Sequence, residues 1–486
     1  MATDSLSAKG ARGAAFVMVG QLARIVVLLL STVILSRLLA PEDFGVMAIC
    51  LSVLALGELI RDSGLALAVA RAVPLSRKQK SNLFWINLGL GGVMATATFA
   101  VAPLLSTIFK LPILTPLMHW LALCLVFSGY STQFRGELNR RLQFIRLTIV
   151  DTVPVVIGLG AAIAWAAIDP SVWALAAQQI ATAASGALLA TLFTRWFPGL
   201  PNRESVREFM NFGAGLLGAQ LLAYAARNAD NYLLGWAWGS TQLGYYSRAY
   251  QLLMAPMNQL LAPLTRVAVP VLSGTPGLGA FNRRLLAAQL AAGAPIAAGY
   301  AMCFGLAGPL VDWLLGPQWI AAVPIFQALC VGGVFKALNQ ATYWSFVATS
   351  RTKNLFRSYL VTQPLVVATI ACGLPWGAVG VAWGHSIGYA LAWAISTLWS
   401  ARTTALDGRA VFAQAATILA LFAVPFGVIG WVIGDVTSTA IEHLLWSLAG
   451  FGAWFAIVGL LVPSGRKSIR TAVHVARLGL RGGRYA

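Results

Sequence analysis

Charged residues inside apolar runs are the first candidates for chemistry in this sequence. Arg24 lies in the middle of the run VGQLARIVVLLL, and Gln21 lies one turn earlier on the same helical face. A charge in hydrocarbon is costly and usually faces a cavity or a partner. Arg24 has no acid within one turn, and a lipid-facing position would be untenable at that depth. We therefore interpret Arg24 as a functional residue facing a cavity.

Other intramembrane charges occur in groups. Glu58, Arg61 and Asp62 stand at positions i, i+3 and i+4, so they share a helix face and can partly neutralise one another. Arg227 and Asp230 are spaced i, i+3 in a later run. Two interpretations of both groups remain open. The acids either neutralise the nearby bases and fix helix packing, or the charges face a cavity and act there. The remaining intramembrane cations are Arg248, Arg266 and Lys336.

The elements that must position these charges are membrane helices. Of the 486 residues, 58% are hydrophobic and 10% are charged, whereas soluble domains carry about 25% charged residues. A transmembrane helix needs about 20 mostly apolar residues. Such runs lie near 14–35, 44–67, 84–108, 114–134, 147–168, 172–194, 209–236, 243–272, 286–312, 320–348, 356–374, 377–400, 411–433 and 441–463. We predict an all-α polytopic membrane protein of about fourteen transmembrane helices.

The distribution of Lys and Arg predicts the orientation, because positively charged loops stay in the cytoplasm. With the N-terminus inside, the inner connections and the tail hold 26 of the 34 basic residues, whereas the outer loops hold only Arg37 and Lys110. The inner set includes Arg71 and Arg203, Arg135 and Arg146, and the tail arginines from Arg466 to Arg484. This regular alternation predicts an inner-membrane protein with both termini in the cytoplasm.

The net charge of +19 is spread over separate cytoplasmic patches, so we expect no nucleic-acid partner. The sequence contains no GxxxxGK[ST], HExxH or CxxC motif, so we expect no catalytic site, cofactor or metal. His119, His385 and His443 lie near or within spans. A proton relay through one of them is the less favoured interpretation.

An internal repeat relates two turns of the sequence. A shift of 199 residues sets LSRLLAPEDFGVMA, which begins at Leu35, over LGWAWGSTQLGYYS, which begins at Leu234, and pairs Gly45 with Gly244. Both segments join an odd-numbered span to the next even-numbered one in the same orientation. The repeat predicts two six-helix lobes related by an axis along the membrane normal.

These segments resemble a known family. The start S-x-K-G, the LSRLLAPEDFGVMA turn, the RNADNYLLGWAWG stretch with LGYYSRAYQL, and LGPQW after the ninth span are similar to the polysaccharide transporter family, which includes Wzx flippases and colanic acid exporters. The resemblance covers most of residues 7–400. It implies the fold of the multidrug/oligosaccharidyl-lipid/polysaccharide exporters, with two six-helix lobes around a central cavity and two C-terminal helices.

The resemblance implies a substrate and its site. Family members move polyprenyl-pyrophosphate-linked oligosaccharides to the periplasmic leaflet, and arginine offers a forked donor that matches phosphate oxygens. Related flippases place essential arginines on the first and eighth helices, which here correspond to Arg24 and Arg266. The expected substrate-binding residues are Arg24, Arg266, Arg61, Arg227, Arg248 and Lys336. The expected polar partners in the cavity are Gln21, Glu58, Asp62, Asp230, Asn231 and Tyr224.

The predicted organisation is an N-lobe at 1–200, a C-lobe at 201–405, two further helices at 406–464 and a basic tail at 465–486. The expected partners are the lipid-linked oligosaccharide, membrane lipids and a polysaccharide polymerase or export machinery. A monomer suffices for a complete two-lobed cavity.

Three alternatives differ in substrate or in class. A peptidoglycan-precursor flippase would share the fold and the pyrophosphate chemistry. A cation-coupled multidrug exporter would be expected to use acids in a neutral or negative pocket, whereas intramembrane arginine exceeds acid here. A membrane glycosyltransferase or polymerase would need larger outer loops than this sequence has.

Overall fold

We analysed a computed structural model of the chain. The structure describes residues 2–62, 76–202, 204, 207–404, 406–437, 439–462 and 466. Arg71, Arg203 and the basic tail beyond Arg466 lie outside the described residues, and so does the Asp62 side chain.

Among its described residues, the first part of the chain forms seven helices. Their bounds are α1 Ala2–Leu38, α2 Pro41–Asp62, α3 Arg77–Phe109, α4 Leu114–Arg140, α5 Phe144–Ala166, α6 Val172–Thr194 and α7 Arg207–Ser273. Helix α7 is bent at Gly239, whose φ of 77° is one that glycine adopts readily. The predicted seventh and eighth spans are the two arms of this bent helix.

The remaining helices follow with short connections. They are α8 Leu278–Gly305, α9 Ala307–Leu315, α10 Val323–Ala348, α11 Thr352–Gly373, α12 Gly377–Thr403, α13 Gly408–Ile418, α14 Val424–Val436 and α15 Ala440–Leu461. Short 3₁₀-helices, Pro317–Ala322 and Leu374–Trp376, precede α10 and α12, and a π-helical turn, Leu419–Ala423, joins α13 to α14.

The predicted fold class is confirmed. Within the described residues, eleven stretches are long and apolar enough to cross a membrane. One of them, Thr352–Thr403, contains both α11 and α12, and α7 supplies the seventh and eighth spans. The helical segments thus correspond to the fourteen predicted spans.

The chain divides into two compact units, Met1–Gly244 and Tyr245–Ala486. In the first unit, α3 packs on α4 where Gly91 and Gly129 face each other. A Cβ on Gly129 would lie 2.6 Å from the Asn87 carbonyl oxygen, so the two backbones approach too closely for larger residues. An aromatic cluster that includes Phe84, Phe134 and Trp196 fills the end of this unit. The predicted lobe boundary at residue 200 stays a prediction.

The two turns of the internal repeat contact each other within the first unit. A Cβ on Gly45 would lie 1.8 Å from the Ser240 carbonyl oxygen, and a Cβ on Gly244 would lie 1.8 Å from the Pro41 carbonyl oxygen. The shift of 199 residues that relates Gly45 to Gly244 also relates Pro41 to Ser240. The contact is therefore reciprocal, as a local two-fold relation between the two turns requires. The Ser240 hydroxyl also donates to Glu42 Oε1 at 3.3 Å.

Candidate functional site

A cavity of about 370 Å³ opens in the first unit, lined by α1, α2, α4, α5 and α6. Its charged lining residues are Arg24, Glu58, Arg135 and Asp151. Its uncharged polar lining residues are Ser128, Ser131, Gln179 and Thr182. Because its lining is polar, this cleft can hold a polar or ionic group at membrane depth. A cleft lined only by apolar residues would hold only hydrocarbon.

Two close contacts fix α1 beside this cavity. At Gly20, a Cβ would lie 1.9 Å from Thr148 Cγ2 on α5, so a larger residue would require the Thr148 side chain to move. Farther along α1, Gln178 Nε2 of α6 donates to Ser31 Oγ at 2.8 Å. Arg24 lies one turn after Gly20, between the two contacts. Helix α1 is therefore held on both sides of Arg24, which sets the side of the helix that faces the cavity.

Arg24 differs from the other arginine of the cavity in its pairing. Arg135 forms an ion pair with Asp151. Arg24 is exposed to the cavity, and it makes no hydrogen bond or ion pair with any residue that the structure describes. Glu58 accepts a hydrogen bond from Ser128 Oγ at 3.3 Å. The guanidinium of Arg24 is thus available to an anionic ligand, whereas that of Arg135 is already neutralised.

The other residues predicted in the first unit occupy varied positions. Arg61 is buried on α2, whereas Glu58, one turn earlier, lines the cavity. Gln21 is exposed but does not line the cavity. On α7, Arg227 is exposed and Asp230 is buried. The structure therefore brings Arg24 and Glu58 to one cavity and leaves the rest outside it.

Tyr224 and Asn231 join α7 to α2. The Tyr224 hydroxyl donates to the Ser52 carbonyl oxygen, and Asn231 Nδ2 donates to Ser52 Oγ at 3.3 Å. Both polar groups are used in helix packing at Ser52 in this conformation.

The predicted residues of the second unit occupy different environments. Arg248 is buried and donates to Gln251 Oε1 at 2.5 Å. Arg266 is exposed. Lys336 is half-buried among Tyr250, His385 and Tyr389.

Sequence reasoning missed part of the cavity. Arg135 was assigned to a cytoplasmic connection, but α4 continues past it to Arg140. Asp151, its partner, is an acid inside the fifth span and was the available signal. Gln179 and Thr182 give no such signal, because neutral polar residues are common in membrane helices. In the described part of the chain, no group of His, Cys, Asp or Glu could hold a metal ion.

The helices and their order define a multi-span membrane protein with the fold of known flippases and multidrug transporters. The structure of the lipid II flippase MurJ in an inward closed conformation superimposes with a TM-score of 0.68 at 12% identity, covering 91% of this chain and 98% of that one. An inward-facing transporter of the MATE family gives a TM-score of 0.57 at 16% identity, covering 81% and 96%. At these identities the likeness establishes the fold alone.

Residues 34–324 match the family described as polysaccharide biosynthesis protein, and the chain belongs to this family. Among its relatives is the lipopolysaccharide biosynthesis protein WzxC of Escherichia coli, 26% identical with 76% of each chain covered. The succinoglycan biosynthesis transport protein ExoT of Rhizobium meliloti is 24% identical with 61% of each covered. The teichuronic acid biosynthesis protein TuaB of Bacillus subtilis is 23% identical, with 58% of this chain and 59% of TuaB covered. The family resemblance seen in the sequence is confirmed.

Proposed function

We propose that this protein is a flippase that moves polyprenyl-pyrophosphate-linked oligosaccharide units from the cytoplasmic to the periplasmic leaflet of the bacterial inner membrane. The units would supply an exopolysaccharide, capsule or O-antigen. Transport proceeds by alternating access in a monomer whose termini are both cytoplasmic. A polysaccharide polymerase or export machinery receives the product.

The observation that carries the proposal is the available arginine in a polar cavity. A pyrophosphate at membrane depth needs cations in place of water, and a guanidinium can donate two parallel hydrogen bonds to phosphate oxygens. Arg24 meets this need, because its guanidinium has no partner among the described residues. The serine, threonine and glutamine side chains of the same cavity can hydrogen-bond to sugar hydroxyls.

The relatives support the substrate class. Their names place them in the biosynthesis of lipopolysaccharide, succinoglycan and teichuronic acid, and ExoT is named a transport protein. The names refer to three different polymers. One protein family can recognise such substrates through the carrier lipid and its phosphates. The guanidinium of Arg24 is suited to bind these phosphates.

We also propose a role for the other predicted cations, which lie outside the cavity of the first unit. Arg61, Arg227, Arg248, Arg266 and Lys336 would contact the pyrophosphate in other conformations of the transport cycle. The same holds for the proposed polar partners outside the cavity of the first unit. Arg24 is the residue on which the proposal is tested.

The test is mass spectrometry of polyprenyl-linked sugars in the native host. Wild type, a conditional depletion strain and Arg24→Ala are compared at matched expression. Arg351→Ala is the control, because Arg351 is an exposed arginine outside the cavity. Loss of a hydrogen bond to a charged group costs about 1.5–3 kcal/mol, which corresponds to roughly 10- to 100-fold weaker binding of the pyrophosphate.

We expect one completed oligosaccharide unit to accumulate on its carrier lipid in the depletion strain and in Arg24→Ala, with loss of the surface polymer. Arg351→Ala should match wild type. An unchanged lipid pool after depletion would refute the flippase function. Accumulation on depletion but not in Arg24→Ala would refute the assigned role of Arg24.

A further inference from the structure

The cavity of the first unit contains a carboxylate whose role the proposed function leaves open. Leu51, Leu54 and Glu58 line the cavity from α2, and their spacing places them on one helix face. Glu58 is exposed to the cavity. Its Oε1 accepts a hydrogen bond from Ser128 Oγ at 3.3 Å, and its Oε2 has no partner among the described residues. Glu58 therefore presents an available acceptor oxygen in the same cavity as Arg24.

The hydroxyl groups of this cavity also present acceptors. Ser128 Oγ uses its proton in the bond to Glu58. Ser131 Oγ donates to the Ser128 carbonyl oxygen at 3.2 Å, and Thr182 Oγ1 donates to the Gln178 carbonyl oxygen at 2.7 Å. A hydroxyl has one proton and two lone pairs. Because each proton is already used, these three residues offer a ligand only lone pairs. This part of the lining therefore matches a ligand that donates hydrogen bonds.

The arginines of the cavity do not reverse this preference. Arg135 follows Ser128 by about two turns of α4, which is roughly 10 Å along the helix axis, and its charge is neutralised by Asp151. In the proposed function, the pyrophosphate of the substrate occupies Arg24. Once both arginines are engaged, Glu58 leaves its part of the cavity negatively charged. A carboxylate on the substrate would meet a like charge there.

The size of the cavity limits which part of the substrate contacts these groups. Its volume of about 370 Å³ lies near the lower end of the range for ligand pockets, which is about 300–1,000 Å³. A cavity of this size accommodates the phosphates and the adjoining sugar, and not a complete oligosaccharide. The sugar bonded to the pyrophosphate is therefore the one that meets Glu58. Gln179, which also lines the cavity, offers both a donor and an acceptor and so does not discriminate between sugars.

We propose that Glu58 selects lipid-linked units whose first sugar, the one bonded to the pyrophosphate, carries no carboxylate. A neutral hexose or N-acetylhexosamine donates O–H or N–H groups to the acceptors of the lining. A hexuronic acid brings a carboxylate, which has acceptors only, against the charge of Glu58 and the hydroxyl lone pairs. Specificity commonly depends on such repulsion of the wrong ligand. The proposal rests on the proposed function for its substrate, and it adds the chemical class of the first sugar.

Competitive binding of two lipids that differ at one carbon tests the proposal. Polyprenyl-pyrophosphate-linked glucose and glucuronic acid have the same ring and configuration, and they differ in a hydroxymethyl or a carboxylate group at C6. The purified full-length protein in detergent is incubated with an equimolar mixture of the two lipids and is then isolated again. The bound lipids are extracted and quantified by mass spectrometry. The measured quantity is the ratio of bound glucosyl lipid to bound glucuronosyl lipid.

Wild type should bind the glucosyl lipid in an excess of at least about fivefold, the factor for two like charges about 4 Å apart in fully screening water. Glu58→Gln should bring the ratio close to one, because the amide has no charge and can donate to the carboxylate. Glu58→Asp keeps the charge and should keep an excess of glucosyl lipid.

Glu42→Gln is the matched control for these variants. Glu42 lies on the same helix, and its Oε1 accepts from Ser240 Oγ at 3.3 Å, just as Glu58 accepts from Ser128 Oγ at 3.3 Å. Glu42 does not line the cavity. The ratio for Glu42→Gln should therefore equal that of wild type.

The outcomes separate selection from binding. Arg24→Ala should weaken the binding of both lipids and keep the excess of glucosyl lipid, because Arg24 contacts the phosphates that the two lipids share. A ratio near one in wild type, or an excess that Glu58→Gln leaves unchanged, would overturn the role of Glu58. Binding of the native lipid-linked unit but of neither probe would overturn the placement of the first sugar in the cavity. If wild type binds none of the three lipids, the proposed function is refuted and the role of Glu58 falls with it.

Discussion

The reciprocal contact between the two repeat turns predicts that alanine at Gly45 destabilises the first unit. A Cβ at this position would lie 1.8 Å from the Ser240 carbonyl oxygen, whereas ordinary contact begins at 3.4 Å. Helix α2 and the second arm of α7 would have to separate by about 1.6 Å. The obstacle is backbone, so no side chain can rotate to make room.

The size of the effect is the balance of two terms. Alanine in place of glycine favours a helix by about 0.5–1 kcal/mol. Overpacking at a close contact costs about 1–3 kcal/mol, and more where the backbone must move. We therefore expect a net loss of about 1–2 kcal/mol or more. The same loss is expected for Gly244→Ala, whose Cβ would lie 1.8 Å from the Pro41 carbonyl oxygen.

The assay is thermal unfolding of the purified protein in detergent, followed by tryptophan fluorescence. Gly92→Ala is the matched control, because it lies inside α3 and a Cβ there has nothing within 4 Å. Gly45→Ala should lower Tm by several degrees, at roughly 2–4 °C per kcal/mol for a unit of about this length, and Gly92→Ala should leave Tm equal or slightly higher. The double variant of Gly45 and Gly244 should cost less than the two single costs together, since one separation relieves both clashes. Equal Tm values for Gly45→Ala and Gly92→Ala would refute the reasoning.

Two further predictions concern the end of the first unit where α3 begins and α4 ends, and one concerns the cavity. Asn82 binds the segment after α6, because its Nδ2 donates to the Asn202 carbonyl oxygen and its Oδ1 accepts from the Asn202 amide, both at 2.8 Å. Asn82→Ala should make this segment more sensitive to limited trypsin digestion. Unchanged cleavage would contradict the contact. Glu137 is buried between Lys80 at 2.9 Å and Arg141 at 2.7 Å. Glu137→Gln should therefore lower the free energy of unfolding by about 1–3 kcal/mol, as measured by thermal unfolding at low and high salt. A loss that disappears at high salt would indicate a screened surface ion pair instead. Arg24→Lys keeps the charge without the fork, so in the lipid assay it should lie between wild type and Arg24→Ala; equality with Arg24→Ala would show that charge alone contributes nothing.

The fold was predictable because the membrane imposes it. A span must be long and apolar, so hydropathy was sufficient to locate the fourteen predicted spans. The repeat was also visible, and it led to the pair Gly45 and Gly244. What the sequence could not show was that these glycines contact each other's turns, because that depends on how two helices 199 residues apart cross.

The site was only partly predictable for the same reason. Arg24 was found because an arginine in mid-span is conspicuous. Arg135 and Asp151 lie near the ends of their spans, where a charge can reach water, and only helix packing shows that they pair within a cavity. The contact between Lys336 and His385 likewise joins two helices that are 49 residues apart. Pairwise contacts between distant helices leave no local pattern in the sequence.

Reconstitution with purified substrate tests the central claim most directly. Lipid-linked oligosaccharide isolated from the depletion strain is placed in both leaflets of proteoliposomes, and an impermeant reagent that cleaves sugar diols is added outside. With wild type, we predict that the inner pool becomes accessible and nearly all of the sugar reacts. With Arg24→Ala, the inner pool should react roughly 10- to 100-fold more slowly than with wild type, and in protein-free vesicles it should stay protected. If the inner pool stays protected from the reagent in vesicles that contain the wild-type protein, the proposed function is contradicted.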